Sequence, residues 1–83
     1  MIEIIVNTNS KNSVKKLSEL EKIFKAEKIA YKVHRTSKTI TAKELMDEIS
    51  SEELIVIGGD GTINEVINNY HDEKIIYLAK VMI

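Results

Sequence analysis

The sequence predicts a layered α/β fold, an α/β/α arrangement around a parallel sheet of about four strands. Three observations predict it. Short apolar runs alternate with longer amphipathic stretches along the chain, the order that right-handed crossovers turn into a parallel sheet. The run Leu54-Ile55-Val56-Ile57 contains no polar residue, as expected of a strand covered on both faces. All three glycines fall within Gly58-Gly59-Asp60-Gly61, directly after that run, where a strand must turn into a helix.

At 83 residues the chain has room for a single domain, 1–83, with a thin core. Its 43% hydrophobic and 30% charged residues place it in the soluble globular range rather than among disordered chains. A membrane span needs roughly 20 nearly uninterrupted apolar residues, and no such run occurs. Met1 leads into Ile2-Glu3-Ile4 with no basic region before it, so no secretory signal is read. Without cysteine there are no disulfides and no thiolate metal sites, which makes the cytoplasm the default compartment. A net charge of −1 gives no general attraction to nucleic acid or anionic lipid, so any pull on phosphate must be local.

In chain order, Ile2 to Val6 reads as a first strand carrying one charge, Glu3, and Asn7 to Asn12 as a polar loop that holds Lys11. Ser13 to about Lys28 forms an amphipathic helix whose apolar face is marked by Val14, Leu17, Leu20, Phe24 and Ala26. Ile29 to His34 alternates, with Tyr31 and Val33 on one side and Lys32 and His34 on the other, as in a strand with one exposed face or a strand near the sheet's edge. After the polar turn at 35–39, Thr41 and Glu44 make a capping box for a short helix with Ala42, Leu45, Met46 and Ile49 inward. Ser50 to Glu53 links this helix to the central strand. From Thr62, the residues Ile63, Val66, Ile67 and Tyr70 recur at helical spacing, and Lys74 to Ala79 reads as a fourth strand.

The glycine turn thus lies between a strand's carboxyl end and a helix's amino end, where backbone can come close to a ligand and N–H groups lack partners. Anions fit such a place. A second reading needs no ligand: Thr62 as N-cap with Glu65 three residues on closes a capping box over a tight turn. Spacing alone leaves both open. His34 and His71 stand apart without flanking ligands and read as surface residues. No Gly-Lys-Ser/Thr of a P-loop and no dinucleotide-binding glycine fingerprint is present.

The full string Gly58-Gly59-Asp60-Gly61-Thr62 resembles the motif shared by diacylglycerol kinases, sphingosine kinases, NAD kinases and, more distantly, phosphofructokinases. Its continuation, Ile63-Asn64-Glu65-Val66, resembles the lipid-kinase branch and bacterial diacylglycerol kinases in particular, whereas NAD kinases usually continue with an apolar pair. The resemblance implies an NAD kinase/diacylglycerol kinase-like nucleotide-binding domain that uses ATP and Mg²⁺. It implies a nucleotide site of Asn7, Ser10, Thr36, Gly58, Gly59, Asp60, Gly61, Thr62, Asn64 and Glu65. A bare carboxylate repels phosphate, so Asp60 either meets it through Mg²⁺ or has its charge turned elsewhere, capping the following helix or bracing the turn, and both remain open. Asn7 and Ser10 match a family loop of the form Asn-Pro-x-Ser-Gly, in which Thr8 replaces the proline and Lys11 the glycine.

Family members continue into a second glycine-containing loop, where Ala79 to Ile83 stands here, and then into a β-sandwich domain that binds the lipid and supplies the catalytic base. The expectation is therefore the amino-terminal ATP-binding portion of a lipid kinase, with no catalytic residue of its own and no turnover alone. The alternative is a non-catalytic interaction or regulatory module on the same fold, and an NAD-kinase-like enzyme ranks third. Ile75 to Leu78, followed by Val81-Met82-Ile83, is expected to leave an apolar free edge through which copies of the chain associate.

Overall fold

A computed structural model describes residues 1–69 and 75–81. Expectations for Tyr70, His71, Lys74, Met82 and Ile83 lie outside the described residues. Four strands, β1 (Ile2–Val6), β2 (Tyr31–Arg35), β3 (Glu53–Gly58) and β4 (Ile75–Lys80), pair in parallel in the order β2-β1-β3-β4. The helices are α1 (Lys11–Ala26), α2 (Ala42–Met46) and α3 (Asp60–Asn68). β1, apolar but for Glu3, and β3, apolar without a break from Leu54 to Ile57, take the centre, and the more polar or more exposed β2 and β4 take the edges.

Side chains alternate across the sheet and build two cores. Ile4, Val6 and Ile57 pack with Leu17 and Phe24 of α1, while Ile5, Leu54 and Val56 pack with Ala42, Leu45 and Met46 of α2 and Ile63 and Val66 of α3. This gives the three layers expected. Each such aliphatic side chain, fully buried, contributes about 1.5–3 kcal/mol.

The first helix starts two residues before the expected Ser13, because Ser10 is extended (φ −112°, ψ 122°) and its hydroxyl accepts the Ser13 N–H. Lys11 is consequently helical and not a loop residue. Val14 and Ala26 are exposed rather than inward. At about 100° per residue, Ala26 lies half a turn round from Leu17, and Val14 lies on the flank of a stripe centred on Ser13, Leu17 and Phe24. The helix closes with Ile29 N–H donating to the Phe24 carbonyl (2.8 Å) and Lys28 N–H to Lys25 (3.3 Å), which puts Lys28 at φ 57°.

His34 is buried, contrary to the surface position read from sequence. Its Nε2 lies 2.7 Å from Glu3 Oε1, on the sheet face that the chain between α2 and β3 covers. The other Glu3 oxygen accepts the N–H groups of Ser50 (2.9 Å) and Ser51 (2.7 Å). Burial pushes the Glu3 carboxyl up, but the Ser51 N–H, His34, the Ser51 hydroxyl and the Ser50 N–H together outweigh it and hold it at about 2, below the ordinary 4.5.

Candidate functional site at the carboxyl end of the sheet

Gly58 ends β3, and Gly59, extended at φ −87° and ψ −168°, is the N-cap of α3. The helix therefore begins at Asp60, not at Thr62, and Thr62 is its third residue. A glycine cap brings no side-chain oxygen, and α3 has no side-chain cap hydrogen bond among the described residues. The N–H groups of Asp60, Gly61 and Thr62 precede the first i to i−4 bond, which Ile63 N–H makes to the Gly59 carbonyl (3.1 Å). They are the open amides of the site.

The three glycines are not placed for backbone strain, since no glycine takes a positive φ among the described residues. Gly58 is required by packing: a Cβ there would stand 2.7 Å from the Thr62 Cβ. Gly61 differs. Nothing lies within 4 Å of the place its Cβ would occupy, so the protein itself does not demand glycine there.

Beside α3, a polar cavity of about 190 Å³ is lined by Asn7, Asn9, Thr36, Ser37, Ile40, Thr41, Ala42, Thr62 and Glu65. It brings four of the expected residues together: Asn7 from the end of β1, Thr36 from the end of β2, and Thr62 and Glu65 from α3. The parallel sheet explains the convergence, because all its strands end on this side.

The β1–α1 loop is fastened from within. Asn7 N–H donates to the Ile57 carbonyl (3.0 Å), and Asn7 Oδ1 accepts from Asn9 N–H (2.9 Å) and the Thr36 hydroxyl (3.4 Å). Thr8 donates its N–H to Thr36 Oγ1 (3.3 Å) and its hydroxyl to the Thr36 carbonyl (2.5 Å). A proline at position 8 has no N–H to give, so the departure from the family loop carries a hydrogen bond of its own. Ser10 is buried and turned to its helix, and Asn64 is exposed on α3 and does not line the cavity.

Glu65 closes no capping box with Thr62. Its Oε2 accepts the N–H of Lys43 in the first turn of α2 (3.2 Å), so α3 supplies a carboxylate to its neighbour's positive end. α2 keeps the cap foreseen for it, with Thr41 Oγ1 accepting Glu44 N–H (3.3 Å).

Asp60 points to a residue that sequence reasoning missed. Lys80 ends β4 in register with Gly58, and its Nζ lies 2.8 Å from Asp60 Oδ1. Reading its place required the strand order, which the sequence did not disclose. The Lys80 ammonium thus already partners one Asp60 oxygen, in a pair whose side chains are both more than half exposed. Among the described residues, no group of three or more His, Cys, Asp or Glu could hold a metal ion.

Among the described residues, no helix is long and apolar enough to cross a membrane. No curated protein and no solved structure matches the chain. The family model described as the diacylglycerol kinase catalytic domain matches residues 2–81. A match of that extent, on a four-stranded parallel sheet with helices on both faces, shows that the chain belongs to the diacylglycerol kinase catalytic domain family.

Proposed function

We propose that this chain is the ATP-binding portion of a diacylglycerol-kinase-like lipid kinase, with the nucleotide's phosphates received at the first turn of α3. The observation that carries the proposal is that α3, alone among the helices of the described residues, starts without a side-chain cap, beside a polar cavity. Kinases of this family use ATP and a divalent metal in general. In the reaction the lipid hydroxyl oxygen forms a bond to the γ-phosphorus, the bond to the β–γ bridging oxygen breaks, and the hydroxyl proton passes to a base. This chain's part is to hold the donor. The N–H groups of Asp60, Gly61 and Thr62 and the Thr62 hydroxyl meet phosphate oxygens, and Asn7, Thr36 and Glu65 line the space beside them.

No residue of this chain is assigned as the base or to a lipid-binding surface, and by itself the chain is expected to bind nucleotide weakly and to turn nothing over. A cytoplasmic setting rests on its cysteine-free composition. Isothermal titration with ATP and Mg²⁺ tests the proposal, comparing the parent with Gly61→Val. Heat from the parent and none from a folded variant supports it, and no heat from the parent refutes it.

A second reading, a non-catalytic interaction module, is favoured by a specific observation: Ser10, Thr8 and Thr36 are spent on internal hydrogen bonds rather than offered outward. Either reading leaves β4 as an edge strand with no further partner among the described residues, and its Ile75, Tyr77 and Leu78 are about half exposed. Association of two copies through this edge is the expected consequence. A single monomeric mass by light scattering across high micromolar concentrations would rule it out.

A further inference from the structure

A nucleotide at the first turn of α3 meets an obstacle in Asp60, whose negative charge sits on the first helical residue. Two arrangements can remove it: a cation delivered between carboxylate and phosphate, or a partner already in the protein. The structure contains the second. Lys80 Nζ stands 2.8 Å from Asp60 Oδ1, fixed there by the β3–β4 register and by the Val81 N–H, which donates to the Gly58 carbonyl (3.0 Å). We infer that Lys80 is a positioning residue for nucleotide: it neutralises Asp60 and so keeps the open amides of α3 receptive to phosphate without metal at that carboxylate.

The inference rests on the nucleotide reading above and adds the residue that makes it electrostatically workable. Glu65, the other carboxylate at the cavity, is tied to the Lys43 N–H. The side chains of Lys80 and Asp60 are 65% and 76% exposed, so the pair adds little to folding and can be altered without loss of the fold. Its effect on an incoming anion is larger than its effect on stability, because removing Lys80 leaves a net negative charge where phosphate must sit.

The test is ATP binding at low ionic strength, in EDTA and in excess Mg²⁺, by the parent, Lys80→Met, Asp60→Asn and the double variant, with thermal melts as the check on folding. The expected result is a loss of about tenfold for Lys80→Met in EDTA. Magnesium reduces that loss, and the double variant recovers to within about twofold of the parent, because the neutral amide at position 60 leaves no charge to offset. Melting temperatures stay within about 2 °C of one another. Equal binding by the parent and Lys80→Met in EDTA overturns the inference while leaving the nucleotide reading intact. A loss that Asp60→Asn does not rescue overturns it too, and assigns Lys80 to direct phosphate contact. No binding by the parent in either buffer refutes the nucleotide reading itself, and the role of Lys80 with it.

Discussion

Among the strand-to-helix connections that leave the carboxyl end of this sheet, the ones after β1 and β3 solve the same problem in opposite ways. At the β1–α1 turn, Ser10 covers the Ser13 N–H, and Asn7, Thr8 and Thr36 exchange hydrogen bonds until the loop is satisfied from within. At the β3–α3 turn, Gly58 and Gly59 bring no side-chain oxygen, and α3 begins without a side-chain cap. The first turn serves the fold; the second is kept available. A helix end becomes an anion site where the chain withholds the side chain that would otherwise fill it.

Substitutions can break that contrast or sharpen it, and the largest effect belongs to a buried residue outside both turns, Glu3 of β1. Glu3→Ala removes a buried carboxylate and strands His34 and the N–H groups of Ser50 and Ser51, so unfolding in urea should show a loss of about 3 kcal/mol. Because the folded pKa of Glu3 is depressed, its contribution is complete above the ordinary 4.5 and is lost as pH falls toward about 2. The parent should therefore weaken across that window and Glu3→Gln much less, as followed by urea midpoints at pH 5, 4 and 3.

Next in size is Gly58→Ala, whose Cβ would be driven to 2.7 Å from the Thr62 Cβ; a loss of about 1–3 kcal/mol is expected, together with a displaced Thr62. An unchanged urea midpoint would mean that the turn is looser than the structure describes. Ser10→Ala should remove about 1 kcal/mol by loss of the cap while ATP affinity per folded molecule stays the same. Weaker ATP binding there would erase the distinction between the turns. The smallest stability effect is that of Gly61→Ala, within about 0.5 kcal/mol and in the stabilising direction, because open space receives the methyl group and alanine favours helix.

The central strands were legible because β3 runs from Leu54 to Ile57 without a polar residue and β1 carries one charge alone, Glu3, as strands covered on both faces do. The site's glycine turn was legible for the same reason, as it follows β3 directly. The start of α3 was not. Thr62 and Glu65 have the spacing of a capping box, but the Glu65 carboxylate finds the Lys43 N–H, 22 positions away in sequence, and Gly59 caps the helix first. His34 was misplaced because its burial depends on Glu3 in the adjacent strand and on the α2–β3 connection above them. Lys80 was overlooked for a similar reason: the register of β4 on β3, not any local pattern, sets it beside Asp60. Local periodicity reveals elements, whereas contacts between distant elements decide which polar groups are spent and which remain free.

The account stands or falls on the amides of residues 60–62. Titrating ATP with Mg²⁺ into the ¹⁵N-labelled protein and following each backbone amide by NMR reads them directly. The predicted result is saturable shifts concentrated at Asp60, Gly61 and Thr62, spreading to Asn7 and Thr36 across the cavity, with Ser13 unmoved behind its cap. Saturable shifts centred on Asn12 and Ser13, with residues 60–62 silent, would contradict it.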